Sequence, residues 1–154
     1  MSSHSLMKES TQSPEPYAER FRGLFYGMTK WSNLDQLWSN VKSQNDDNWY
    51  IYAVGHEVPV TTASSDAVVK FVDEIDLLLR KEHDEDYCGI VYADDAETPT
   101  FIKIFDPNNL GVSCGFSDNP PLPGWVMSKM KPCDLQAAFP PPKSRQRWWN
   151  KIFA

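Results

Sequence analysis

The sequence predicts a single α/β (α+β) domain with a mixed or mainly antiparallel sheet of four or five strands and two or three helices on one face. Two patterns carry this prediction. Short runs of β-branched and aromatic residues, bounded by Asp, Asn, Pro or Gly, indicate strands. Longer segments whose apolar residues recur every three or four positions indicate amphipathic helices. A chain of 154 residues that alternates these patterns fits one domain with one core.

The strand pattern is densest between Tyr87 and Phe116. It forms three runs, at 88–92, 101–105 and 112–116, with turn residues between them. A further run at 49–54 is continuously apolar, which is typical of a strand buried on both faces. The segment 125–130 is expected to form a last short strand or a turn.

Two helices are predicted in the first third of the chain. One begins at Pro16, where proline suits a first helical turn, and its apolar face extends to Met28. The other is marked by Ser32 and Asp35, which approximate a capping box, and is expected to end near Gln44. Each would present an apolar face to the sheet.

The clearest helix follows the loop after the run 49–54. Ser64 or Ser65 can cap it, and one of its faces is apolar. The residues of that face are Val68, Phe71, Val72, Ile75, Leu78 and Leu79. The helix is long enough for a crossover, so we expect the strands at 49–54 and 87–92 to be parallel neighbours or to pair around a third strand.

Composition divides the chain into three parts. Residues 1–15 are rich in Ser, Thr and Gln and predict a disordered leader. Residues 16–139 hold the predicted elements, including one helical turn at 135–139, and predict the single domain. Residues 140–154 begin with three prolines, which favour a stiff spacer, and continue into a basic segment with two adjacent tryptophans.

Charge is unevenly distributed along the chain. The net charge is -6, but the last twelve residues contain four basic and no acidic side chains. Residues 1–142 therefore hold 11 basic and 21 acidic side chains, a balance of -10. Because nucleic-acid binding depends on cations that displace counterions from phosphates, we expect no nucleic-acid partner for this acidic domain.

The predicted cellular setting is the cytoplasm. The N-terminus lacks the charged start and apolar middle of a secretory signal, and no apolar run approaches the roughly 18 residues of a membrane span. Three cysteines cannot form a complete disulfide set, and their spacing is not that of a zinc site. Cys88 and Cys114 are expected to pack in the sheet, whereas Cys133, beside cationic residues, is the thiol expected to react first.

A case for catalysis rests on His56 and Glu57, in the loop after the run 49–54. An imidazole beside a carboxylate could act as an acid–base pair near a strand end. A solvated loop histidine explains the same dipeptide, and the chain lacks the motifs of nucleotide, serine-hydrolase and zinc-protease sites. The sequence therefore favours a non-enzymatic protein, with no metal and no cofactor expected.

A candidate contact surface lies on the run 101–105. Side chains alternate along a strand, so its two isoleucines are expected to meet the helices. The other side chains, Phe101, Lys103 and Phe105, then form a surface that another part of the chain or a partner must cover.

The C-terminal segment is the main candidate for function. On a short helix its apolar residues would share one side, with basic residues around them. The candidate contact residues are Arg145, Arg147, Trp148, Trp149, Ile152 and Phe153. Trp and Arg are enriched among the residues that anchor protein interfaces, whereas disordered tails are poor in aromatic residues.

We therefore predict a small cytosolic accessory or adaptor protein that works through contacts with a protein partner or with a second copy. Three alternatives remain. The C-terminal segment could fold back on its own acidic domain, because opposite charges in one chain attract at high effective concentration. It could bind an anionic membrane surface, as basic amphipathic helices do. The third alternative is a small enzyme or ligand-binding domain with a cleft near His56 and Glu57.

Overall fold

A computed structural model of the protein describes residues 16–108 and 122–139. In chain order these residues form α1 (Pro16–Phe21), β1 (Tyr26–Gly27), α2 (Trp31–Ser43), β2 (Tyr50–Ala53), α3 (Ser65–Glu82), β3 (Val91–Ala93), β4 (Phe101–Ile104), β5 (Trp125–Ser128) and α4 (Leu135–Ala138). They build an α+β fold on a five-stranded antiparallel sheet, which confirms the predicted fold class. The predicted leader at 1–15, the predicted strand at 112–116 and the segment 140–154 lie outside the described residues.

The sheet has the strand order β1-β3-β4-β5-β2, and every neighbouring pair is antiparallel. β4 lies at the centre, between β3 and β5. The register places Lys103 of β4 opposite Tyr92 of β3 and opposite Val126 of β5. The segment predicted as a last strand or a turn therefore supplies β5, which lies directly beside the central strand.

The path from β2 to β3 differs from the prediction. The two strands are neither parallel neighbours nor paired around a single strand, because both β5 and β4 lie between them. After β2 the chain turns back, and the amide of Ala63 donates to the carbonyl of Trp49 across 2.8 Å. α3 therefore starts level with the beginning of β2. Its 18 residues lead to β3, which runs in the opposite direction to β2.

β2 is an edge strand and is less buried than predicted. Tyr52 is fully buried, whereas the other residues of the strand are half-buried. The prediction of burial on both faces is therefore wrong. Tyrosine can bury its ring and still keep its hydroxyl near polar groups, so an aromatic run does not require a central strand.

The larger hydrophobic cluster lies between the sheet and the helices α2 and α3. Ile102 and Ile104 of β4 are fully buried in this cluster, as the alternation of the strand predicted. The helices contribute Leu34, Leu37, Trp38, Val41, Val68, Val72, Ile75 and Leu79. The indole of Trp38 also donates to the carboxylate of Asp76 across 3.2 Å, which ties α2 to α3.

The opposite face of the sheet is covered by α1 and α4. A second cluster joins Tyr17 and Phe21 of α1 to Phe101 and Val126 of the sheet and to Leu135 of α4. The helices are therefore divided between the two faces and not gathered on one face as predicted. The central strands are apolar on both sides, so each face needs a cover.

α1 is shorter than the predicted helix, which was expected to reach Met28. It ends at Phe21, and the amide of Gly23 closes a tight final turn. Glycine has low helix propensity, and the segment gains strand pairing with β3 instead. A Cβ atom on Gly27 would lie 3.1 Å from the ring of Tyr92, so glycine leaves room for this ring beside β1.

α2 begins earlier than predicted. Its N-cap is Lys30, and the side-chain oxygen of Asn33 accepts hydrogen bonds from the Lys30 amide (3.0 Å) and from the Thr29 hydroxyl (3.2 Å). Ser32 and Asp35 lie inside the helix and do not form its cap. Asn33 provides the local side-chain to backbone bond that was expected from them.

Three other helix ends agree with the sequence. α2 ends with Gln44 as its C-cap. α3 is capped by Ser64, whose hydroxyl accepts a hydrogen bond from the amide of Ala67 across 3.2 Å. α4 occupies the predicted helical turn and is capped by the carboxylate of Asp134.

β3 begins later than the run 88–92 predicted. Gly89 has φ of +69°, a left-handed conformation that interrupts the extended backbone. Cys88 and Gly89 bond instead to the carbonyls of Thr29 and Met28, beside the end of β1. The regular strand therefore starts only at Val91.

Candidate functional site

The dipeptide His56–Glu57 lies in the loop after β2, and both side chains are exposed. The amide of His56 donates to the carbonyl of Ala53 across 3.0 Å, so the dipeptide belongs to a turn. Within the described residues, no cluster of three or more His, Cys, Asp or Glu side chains is placed to hold a metal ion. A solvated turn accounts for both side chains without a catalytic role.

The two cysteines in the described part of the chain differ in burial. Cys88 is fully buried beside β3, as predicted, and burial raises the pKa of its thiol and keeps it unreactive. Cys133 is half-buried and packs against the cluster that contains Tyr17 and Tyr52. Its thiol is less open to reagents than expected, although it is more accessible than that of Cys88. Cys114 lies outside the described residues.

An open groove of about 540 Å³ runs between α2 and α3. Its charged side chains pair with one another and with a neighbour on α3. Lys42 lies 2.6 Å from Asp73, and Arg80 contacts both Asp35 and Asp76. Partly exposed pairs of this kind stabilise a fold by about 0–1 kcal/mol each. The groove is therefore an ion-paired surface between two helices.

Lys103, in the middle of β4, lies in an aromatic environment. Its Nζ atom lies 4.2 Å from the centre of the Phe21 ring and 4.1 Å from the centre of the Phe25 ring. Among residues 16–108 and 122–139, its ammonium group has no hydrogen-bond or ion-pair partner. Lys103 is therefore a half-buried cation held against two aromatic rings.

Burial lowers the pKa of Lys103 to about 8, from the ordinary 10.5. An ammonium group that leaves water loses hydration energy, and this loss favours the neutral amine. The faces of the two rings offset part of this loss of hydration energy, because the negative face of an aromatic ring attracts a cation. At pH 7 the group is mostly charged, but it releases its proton far more readily than a lysine in water.

Three hydroxyl groups lie on the same covered face of the sheet. The hydroxyl of Ser128 donates to the carbonyl of Met130 across 2.7 Å, and the hydroxyl of Tyr52 accepts from the amide of Leu135 across 3.4 Å. Burial raises the pKa of both Tyr17 and Tyr52, so both stay neutral. These groups are polar but add no charge to the cluster.

The cover over Lys103 is fastened at the C-terminal end of α1. Arg20 pairs with Asp94, in the turn after β3, across 3.0 Å. The ring of Phe21 lies 5.5 Å from the ring of Phe139, which follows α4. The last turn of α1 is thus tied to two parts of the chain that are distant in sequence.

The candidate contact surface on β4 is covered by the chain itself. Phe101 is fully buried, with the rings of Tyr17 and Phe25 at 5.0 Å and 5.5 Å from its own. Lys103 lies under the same cover. Phe105 lies beyond the end of β4 and packs against the cluster of α2 and α3. We expected either another part of the chain or a partner to cover this surface. The structure shows that α1 and Phe25, which belong to the chain itself, lie over Phe101 and Lys103.

The C-terminal candidates Arg145, Arg147, Trp148, Trp149, Ile152 and Phe153 lie outside the described residues. Their role as contact residues stays a prediction from sequence.

The chain has no significant match among models of protein families, curated proteins or solved structures. Within the two described ranges, no helix combines the length and the apolar character needed to cross a bilayer.

Proposed function

We propose that this chain is a small accessory or adaptor protein of the cytoplasm, which works through protein contacts and docks through its basic, aromatic C-terminal segment. One observation supports this function: the sheet is covered on both faces. α1, Phe25 and α4 cover the face of Phe101, and α2 and α3 cover the other face. Within the described residues, neither sheet face needs Trp148 and Trp149 as a cover.

The chemistry of the segment indicates the kind of partner. Burying a large apolar side chain contributes about 1.5–3 kcal/mol relative to leaving it in water, so two adjacent tryptophans favour a binding pocket. Arg145 and Arg147 beside them suit carboxylates, which guanidinium groups bind through paired hydrogen bonds. The expected partner therefore presents carboxylates around an apolar pocket. A second copy of the chain has an acidic domain, which would supply the carboxylates that such a partner needs.

Replacing Trp148 and Trp149 together by alanine in the full-length chain is expected to weaken partner binding at least ~10-fold, since anchor residues commonly contribute 2 kcal/mol or more. The measurement is quantitative co-purification from the source cells, with sedimentation equilibrium to follow self-association. The control replaces both residues by phenylalanine, which keeps the aromatic rings and is expected to retain most of the binding.

Unchanged recovery of every partner and an unchanged self-association equilibrium in the alanine variant would contradict the proposed function. A membrane-surface role predicts another result. In that case the alanine variant keeps its protein partners but no longer sediments with anionic vesicles.

A further inference from the structure

The environment of Lys103 differs from that of two other lysines on the same domain. Lys42 lies 2.6 Å from the carboxylate of Asp73, and Lys129 lies 3.9 Å from the carboxylate of Asp46. A nearby carboxylate stabilises the ammonium form of a lysine and so holds its proton. Lys103 has two phenyl rings in place of a carboxylate. Its ammonium group therefore lacks this stabilisation by a carboxylate among the described residues.

The side chain of Lys103 is half-buried, so it is shielded but part of it is open to solvent. The rings of Phe21 and Phe25 are arranged around its Nζ atom at almost equal distances. A neutral amine between apolar walls is a good nucleophile, because it is not protonated and not strongly hydrated.

We propose that Lys103 is a covalent attachment site for small aldehydes, and that the partly exposed ring of Phe25 favours aldehydes with an aromatic body. This site is independent of the C-terminal docking segment and goes beyond the adaptor function.

The reaction is the formation of an imine. The ammonium group of Lys103 first releases one proton to solvent. The nitrogen then donates its electron pair to the carbonyl carbon and forms a C–N bond. The carbonyl oxygen leaves as water with the two remaining N–H protons, and a C=N bond remains. No oxidant or reductant takes part, and the aldehyde is the one co-reactant.

The surroundings of Lys103 favour this reaction near neutral pH. Burial lowers the pKa of its amine to about 8 and so raises the fraction of the nucleophilic form. The charged or titratable groups on α1, β2 and β3 are Tyr17, Glu19, Arg20, Tyr50, Tyr52 and Tyr92, of which Glu19 is exposed. Arg20 is paired with Asp94, so its charge is partly compensated. The two phenyl rings also limit the approach of the water that would hydrolyse an imine.

The test treats the intact, full-length protein with benzaldehyde and sodium cyanoborohydride, which reduces the imine to a stable amine, and maps the labelled lysines by mass spectrometry. At pH 7 we expect Lys103 to be labelled at least ~10-fold faster than Lys42, because burial lowers the pKa of Lys103 to about 8 and so raises the fraction of its neutral amine. The advantage should shrink by pH 10, where an ordinary lysine is also partly neutral. Labelling of Lys103 no faster than Lys42 at pH 7 overturns the proposal.

A second comparison tests the role of the rings. With propanal in place of benzaldehyde, the rate advantage of Lys103 over Lys42 is expected to fall several-fold, because an alkyl chain stacks less well on phenyl rings. Equal advantages for both aldehydes would overturn the aromatic selectivity. Phe25→Leu should reduce the preference for benzaldehyde while it keeps an apolar wall, and Lys103→Arg should remove the rapidly labelled peptide. The wild-type comparisons decide the proposal even if a variant fails to fold.

Discussion

Replacement of Asp94 by alanine is expected to lower the free energy of unfolding by about 2–4 kcal/mol, because its carboxylate accepts several hydrogen bonds at once. One oxygen accepts from the amides of Thr100 (2.9 Å) and Phe101 (3.0 Å). The other accepts from the Thr100 hydroxyl (2.5 Å) and from Arg20 (3.0 Å). The variant thus loosens both the turn into β4 and the attachment of α1. Denaturant unfolding monitored by tryptophan fluorescence measures the loss.

Two control variants separate the contributions of Asp94. Arg20→Ala removes the partly exposed ion pair with Asp94, together with a hydrogen bond to the Thr100 hydroxyl and a contact over the Phe101 ring, and should cost about 1 kcal/mol. Asp95→Ala removes a neighbouring turn carboxylate, which accepts from the amides of Glu97 and Thr98, and should cost about 1 kcal/mol. If Arg20→Ala cost as much as Asp94→Ala, the ion pair and not the turn would be the main contribution.

Lys103→Met is expected to stabilise the protein by about 1–2 kcal/mol at pH 7. Methionine has similar length and no charge, so it fills the space beside Phe21 and Phe25 without loss of hydration energy. The gain is smaller than the full pKa shift implies, because Lys103 is partly exposed and because the charged form gains from the rings. Lys42→Met, at an exposed ion pair, is the matched control and should give no gain.

The pH dependence of stability follows from the same lysine. Burial lowers the pKa of Lys103 to about 8 in the folded chain, against 10.5 when it is unperturbed. Between these values the unfolded chain binds more protons than the folded chain, so the free energy of unfolding rises with pH. Below pH 8 both states carry the proton, and the full cost of burying the charge remains. Stability is therefore expected to increase from pH 8 towards pH 10.

Tyr17 and Tyr52 limit this increase in stability at high pH. Burial raises the pKa of both hydroxyls, so above pH 10 the unfolded chain loses these protons first and the folded chain loses stability. Unfolding curves from pH 7 to 11 should show a rise and then a fall. Lys103→Met should keep the fall and lose the rise. A rise that persists in this variant would mean that another group causes it.

Sequence patterns within one segment predicted the structural features that depend only on neighbouring residues. The apolar face and cap of α3, the alternation of Ile102 and Ile104 and the turn at α4 follow from residues within one element. The extent of α1 was wrong because β1 gains its stability from pairing with β3, about 65 residues later in the chain. The sequence spacing of strands does not determine which strands pair, so the position of β2 at the edge was also missed.

Only part of the candidate site could be predicted from the sequence, because its contacts join segments that are distant in the chain. Strand alternation identified Phe101 and Lys103 as a surface that needs a cover. The apolar spacing of Tyr17, Phe21 and Phe25 was visible in the sequence, but nothing local connects that face to β4, about 80 residues away. The lowered pKa of Lys103 follows from this long-range contact and could not be read from β4 alone.

The free energy of unfolding of the full-length Trp148→Ala/Trp149→Ala variant is the most direct test of the central claim, that the domain does not need these tryptophans to complete its fold. We expect the value to lie within about 0.5 kcal/mol of the wild-type value, as for substitutions outside a core. A loss of about 2 kcal/mol or more would contradict the claim, because it would mean that the tryptophans are buried against their own domain and are not held for a partner.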